Sequence, residues 1–449
     1  MRGSGLRKLF RAAAGALLCA LIIPAQASAA TVPAHELEAR RQALLQQMLV
    51  DPDNLEVAFQ YAALSVEAND LEAAITTLER LLIYAPGLAS LQYELGVLYF
   101  RIGSYETARG YFNLAIRATG ASAELIKKAE DYLRAIEYAL RSSTITAALY
   151  TGMRWQSNAN AGPDSDTVQI NGAPVNLGGA AGKSDFSGFA IGSMLYSLDL
   201  QNQGDKFEVL ALTYNAWFTE QSRLDTDILE ANVGPNFNMG RFGIDDTYLG
   251  IYAIGSGALL SGDGYFANAG AGVKLEVRPA PGSQIFSRFE YRRRWYDDHS
   301  NNPNASDRTG DKYSGIVAYR YFFTPDVSGS IAGRFAREET RENFLDNWEY
   351  GVQGALNVVF DGPGPLPDYP WAVNLSGGYL HRDFDAPDPA VNAQAKENDD
   401  EYWVAGRLSV PVHKNVAIMP QVEYRNVDSN YKTRDYDSFT AMLGLLLIY

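Results

Sequence analysis

The sequence predicts two folds in series: an all-α repeat module over residues 31–141, then a transmembrane antiparallel β-barrel of about fourteen strands over residues 142–449. Three observations carry this. Pro52, Pro86 and Gly120 stand at equal intervals (86 − 52 = 34 and 120 − 86 = 34) within a helical pattern. After Arg141 that pattern gives way to period-two alternation. The chain ends in Ser438–Tyr449, where Phe439, Ala441, Leu443, Leu445, Leu447 and Tyr449 form one unbroken apolar face. An apolar strand edge in water invites aggregation; a strand facing lipid, paired on both sides, does not.

The first thirty residues read as a secretory signal peptide. Arg2, Arg7, Lys8 and Arg11 make a basic start, Ala12–Ile23 an apolar run, and Ala25-Gln26-Ala27 or Ala27-Ser28-Ala29 a small-x-small cleavage site. The apolar run is too short for a retained membrane helix. The one cysteine, Cys19, lies inside it, so the mature chain has no thiol for a disulfide, a metal or a nucleophile. No later stretch reaches about twenty apolar residues, so any membrane crossing must be made by strands. A net charge of −15 argues against nucleic acid as a partner. With 27 Tyr and 40 Gly against 7 Met, the composition leans to strands and tight turns.

In the helical part, Ala62 aligns with Gly96, Ala74 with Ala108 and Leu78 with Phe112. The second copy carries Leu95, Gly96, Tyr99, Ala108, Phe112 and Ala115, and it resembles the tetratricopeptide (TPR) repeat, which has a period of about 34 residues. Small residues at Gly96 and Ala108 let paired helices approach, with Tyr99 and Phe112 filling the groove between them. Glu36–Met48 reads as the second helix of a degenerate first copy and Ala123–Leu140 as a capping helix. TPR units bind peptides or proteins, so the module implies a protein partner.

From Ser142 onward, strands are predicted at 144–156, 186–201, 207–219, 226–239, 246–258, 265–278, 284–297, 312–323, 327–340, 348–361, 370–383, 401–413, 415–428 and 437–449, and residues 158–185 read as a long loop. The connections 202–206, 279–283, 324–326 and 414–415 are short, whereas 158–185, 298–311 and 384–400 are long. Outer-membrane barrels show this contrast, with short periplasmic turns and long outer loops. In 348–360 the outward set is Trp348, Tyr350, Val352, Gly354, Leu356, Val358 and Phe360, against Glu349, Gln353 and Asn357 inward. The chain's ending resembles the terminal signature of such barrels, with Gly444, Leu447 and Tyr449 at the matching positions.

The predicted lumen carries both signs of charge. Arg288, Glu290, Arg292 and Arg294 share one strand face, and Lys274, Glu276 and Arg278 the preceding one. Arg320, Arg334, Arg407, Glu423 and Arg425 continue around the ring. Two readings stay open: an arginine ladder that draws anions, or a wall whose charges pair off. Of the four histidines, His35 precedes the repeats and His299 sits in a polar loop, and no cluster has metal-ligand spacing. An enzyme is not expected, nor a cofactor.

Leader, short TPR module and barrel, in this order, resemble the Slam family, the surface lipoprotein assembly modulators. The segment Arg154-Trp155-Gln156-Ser157-Asn158-Ala159-Asn160 is similar to the Ser-Asn-x-Asn that opens many barrels of that kind. The resemblance implies an outer-membrane protein with its helical domain in the periplasm. It would deliver client proteins, lipoproteins or secreted proteins, to the surface, near periplasmic chaperones and the barrel-assembly machinery. It implies no catalysis. Two alternatives remain from the residues themselves: a TPR-coupled exopolysaccharide exporter, and a solute porin with a periplasmic protein-binding arm.

Overall fold

The computed structural model describes residues 34–51, 54–68, 70–202, 204–299, 302–363 and 369–449. The signal-peptide reading, Cys19 and Pro52 lie outside these residues. The chain forms two compact units that divide between Ser142 and Ser143.

The first unit is a run of helices: α1 (Ala34–Val50), α2 (Leu55–Glu67), α3 (Leu71–Tyr84), α4 (Ala89–Arg101), α5 (Tyr105–Arg117) and α6 (Ala123–Ala139). Asn54 caps α2 by accepting from the Val57 N–H at 3.2 Å, and Asp70 caps α3 by accepting from Ala73 N–H at 3.1 Å. Each cap satisfies an N–H that the first helical turn leaves free. Asp70 also accepts from the Arg41 guanidinium at 2.6 Å, which ties α1 to α3. Those backbone and guanidinium bonds hold its carboxyl below the usual range. Neighbouring helices pack pairwise through a core of Ala62, Ala74, Leu78, Leu91 and Leu95, continued by Ala108, Phe112 and Ile136.

The second unit is a closed barrel. Its fourteen strands are β1 (Ser143–Gln156), β4 (Asp185–Asp199), β5 (Lys206–Phe218), β6 (Thr226–Asn238), β7 (Thr247–Leu260), β8 (Asp263–Val277), β9 (Ser283–Tyr296), β10 (Gly310–Phe322), β11 (Val327–Glu339), β12 (Asn347–Phe360), β13 (Trp371–Phe384), β14 (Asn398–His413), β15 (Val416–Ser429) and β16 (Tyr436–Ile448), in the order β1-β16-β15-β14-β13-β12-β11-β10-β9-β8-β7-β6-β5-β4, with β4 returning to β1. Every neighbouring pair is antiparallel, and Gly152 faces Gly444 at the β1–β16 seam. The remaining two strands, β2 (Thr167–Ile170) and β3 (Ala173–Asn176), form a small separate hairpin within the 157–184 connection. That connection was expected to be a plain loop. Its Asn171-Gly172 turn, both residues at positive φ, is what lets two short runs pair.

Connections at the end shared by Ser143 and Ile448 include 200–205, 278–282, 323–326 and 414–415; the opposite end carries 157–184, 297–309 and 385–397. Three links break this contrast: 261–262 is a two-residue turn among the long loops, and 239–246 and 361–370 are long among the turns. Most predicted strand bounds move by one to three residues. β14 starts at Asn398 rather than 401, and β8 stops at Val277, which leaves Arg278 in a turn.

The outer wall is apolar. Leu229, Phe289, Val317, Ile331, Leu375 and Leu443 are all more than a third exposed, and Trp217, Trp295, Trp348, Tyr350 and Tyr402 stand among them. An apolar surface this continuous cannot face water and is what a bilayer requires. No helix among the described residues is long and apolar enough to cross a membrane.

Candidate functional site: the barrel lumen

Alternation of β9 (Ser283–Tyr296) sets Phe289, Tyr291 and Trp295 outward, so Arg288, Glu290, Arg292 and Arg294 point into the barrel. By the same alternation Lys274, Glu276, Arg320, Arg334, Arg407, Glu423 and Arg425 also face inward, so the eleven charged residues singled out in the sequence share one surface.

Some of their partners lie two or three strands away in the ring, others on the same or the neighbouring strand. Lys274 on β8 donates to Glu208 on β5 at 2.8 Å and stands 3.6 Å from Glu276. Arg292 on β9 reaches Glu230 on β6 at 2.6 Å and Glu290 on its own strand at 2.9 Å. The Tyr252 hydroxyl donates to Glu290 at 2.8 Å. Arg294 pairs with Glu338, and Arg334 with Glu349 at 2.8 Å. Glu401 accepts from Arg382 at 2.9 Å and pairs with Arg425, which also holds Glu423 at 2.8 Å. A cavity of about 210 Å³ opens beside this last group, lined by Arg334, Gln353, Glu401, Trp403, Glu423 and Arg425. Glu208, Glu230, Lys312, Arg382 and Glu401 escaped the sequence reading, although alternation alone would have set them inward. Which strand each reaches across the ring has no sequence signature.

The sides of the lumen differ. On β1, β4, β15 and β16 the inward residues Tyr150, Phe189, Ala417, Met419 and Leu446 bury one another in an apolar cluster. Tyr150 lies across β16 and donates to the Met419 carbonyl on β15 at 2.9 Å. Gly444 lies beneath it: a Cβ there would stand 2.5 Å from the Tyr150 ring. Leu447 and Tyr449 are outward and exposed. Of the three residues read as a terminal signature, Gly444 thus packs inside and the other two face outward.

The long loops interlock at the far end. Asn171, at the tip of the β2–β3 hairpin, donates from its backbone to Val391 O at 2.8 Å and from its side chain to Pro389 O at 3.1 Å. It accepts from Ala393 N–H at 2.9 Å. The buried Tyr431 hydroxyl donates to Ala395 O at 2.6 Å and accepts from Asp388 N–H at 3.0 Å. Nearby, burial pushes the Glu397 carboxyl up to about 7, opposed by Arg434 and reinforced by Asp399 and Asp388.

In the helical unit, Leu95, Ala108 and Phe112 are fully buried and Gly96 is buried with them. A Cβ on Gly96 would meet the Phe112 ring at 2.7 Å, so close helix approach depends on that glycine. Tyr99 packs, partly buried, against the core clusters on both sides of it. It stacks on Tyr111 at 5.4 Å, half-buried, and donates to Glu79 at 2.6 Å; that bond pushes its hydroxyl up to about 12.

No family model matches the sequence, and no curated protein matches it. Among solved structures, the helical part is similar to MamA, at 16% identity over 24% of this chain and 67% of that one, with a TM-score of 0.21. The barrel part is similar to a bacterial polysaccharide outer membrane secretin, at 8% identity over 68% of this chain and 98% of that one (TM-score 0.35). It is also similar to OmpT of Vibrio cholerae in its trimer form, at 9% identity over 69% and 100% (TM-score 0.36). The architecture itself rests on the strand pairing and helix packing described above.

Proposed function

We propose that this chain is an outer-membrane delivery factor that passes client proteins, lipoproteins or secreted proteins, to the cell surface, as the Slam family does. The observation that carries this reading is the joining of a TPR-like unit to a polar-lined barrel through residues 140–142 alone. A tether this short keeps whatever one unit binds at high effective concentration for the other. The helical unit has the architecture of a protein-binding scaffold. The apolar outer wall and long far-end loops fit an outer membrane, with the helical unit on the periplasmic side.

Deleting residues 31–141 tests it, because the two units have separate cores. The expected outcome is a barrel that still inserts, in cells that lose one or a few proteins from their surface, read by surface proteomics. Unchanged surface proteins with a lost secreted polysaccharide would replace this reading with glycan export.

A further inference from the structure

The charges of the lumen are not disposed symmetrically. Its inward glutamates Glu208, Glu230, Glu276, Glu290, Glu338, Glu349, Glu401 and Glu423 each have a cationic side chain within 4 Å. Inward Arg154, Arg320 and Arg407 have no acidic partner at that distance among the described residues. Arg154 donates instead to the Ser187 and Tyr214 hydroxyls, both at 3.0 Å, and Arg407 to the Gln421 side chain at 2.8 Å.

Three of the paired charges are layered as well, whereas Arg292 and Glu230 are equally exposed at 17%. The Arg288 side chain is 44% exposed where its partner Glu290 is 6%. Arg334 is 46% against 10% for Glu349, and Arg425 37% against 8% for Glu401. A glutamate has a short stem, so its carboxylate stays near the backbone, while an arginine reaches past it and keeps its guanidinium in the open lumen. At Arg288, Arg334 and Arg425, pairing therefore cancels charge on paper without cancelling it at the surface that a passing solute meets.

We infer that the lumen is an anion-attracting path, and that what crosses it presents carboxylates to its arginine tips. Guanidinium groups bind carboxylates bidentately, and a low-dielectric wall focuses their field into the bore. Combined with the delivery reading above, on which this second step rests, the carboxylates belong to an acidic stretch of the client polypeptide.

The full chain, reconstituted in planar bilayers under a potassium chloride gradient, tests the first step independently of any client. Wild type is expected to conduct, with chloride favoured over potassium by about tenfold, the low end of field focusing. Combined R154Q, R320Q and R407Q should bring that ratio near unity. R288Q alone, at an exposed tip, should lower it partway and serves as the variant least able to disturb folding. A closed, unselective or cation-selective wild type, or variants with the wild-type ratio, would overturn the inference. Poly-L-glutamate should then reduce the current where poly-L-lysine of equal length does not. A block by an acidic polyuronate alone would overturn the polypeptide assignment while leaving the anion path standing.

Discussion

The two sides of the barrel wall solve the same problem with opposite chemistry. On β5–β9 the lumen is lined by Lys274, Glu208, Arg292, Glu230 and Glu290, whereas β15, β16, β1 and β4, beside the inward Arg154, Glu423 and Arg425, bring Tyr150, Phe189, Met419 and Leu446 into one apolar cluster. The charged side spans its strands with long side chains that reach over neighbours, and their ends stay wet. The apolar side spans its strands with one aromatic ring over a glycine and excludes water altogether. The apolar side holds the seam shut and the charged side is the surface on offer.

Breaking the apolar side should have the largest effect. Tyr150→Ala removes a fully buried ring and its bond to Met419, and is expected to destabilise the barrel by about 3–5 kcal/mol, the range for large aromatic truncations. Denaturant unfolding in detergent micelles, followed by tryptophan fluorescence, checks this. A loss under 1 kcal/mol would mean the cluster does not hold the seam.

On the charged side, Arg292→Met leaves Glu230 without its cation and Glu290 with Arg288 alone. The expected cost is about 3 kcal/mol, at the lower end for a broken buried pair because this lumen is partly wet. Arg292→Met combined with Glu230→Gln should recover part of it, which a purely steric role for Arg292 would not allow. By contrast Arg288→Gln, at a tip that is largely open, should cost under about 1 kcal/mol. That would separate the tips, which meet the solute, from the pairs that hold the wall.

The smallest effect concerns the loops above both sides. Glu397 titrates near 7 when packed, against 4.5 for a free carboxyl. The packed state holds more protons between those values, so loop packing is most stable below about 4.5, weakens as pH rises toward 7 and is flat above. Proteolysis of the 385–397 loop should therefore quicken over that interval in wild type and lose this dependence in Glu397→Gln. A pH-independent wild type would rule it out.

Alternation in the sequence reads out the strand count and the inward position of Arg288, Arg334 and Arg425, because period two is a local property of a strand. It does not show that Arg292 reaches Glu230 or that Tyr150 reaches Met419, since those contacts join strands distant in the chain. The β2–β3 hairpin did have a local mark in Asn171-Gly172, obscured by the glycine-rich residues around it. The repeat pattern sets Tyr99 between helices but gives no sign that its hydroxyl reaches Glu79, twenty residues away.

The ring of Tyr150 over Gly444 also bears on the order in which the barrel is built. It connects the first strand to the next-to-last by passing over the last, so its hydrogen bond can form only after β16 has been laid in place. A slip of β16 by two residues would bring Met442 or Leu446 under the ring instead of Gly444, and the hydroxyl could not reach Met419. The seam joins segments at opposite ends of the barrel sequence, which makes closure a late and slow event. Tyr150 thus acts as a proofreader of closure, reporting that the final strand has arrived in the one register that lets the ring lie down.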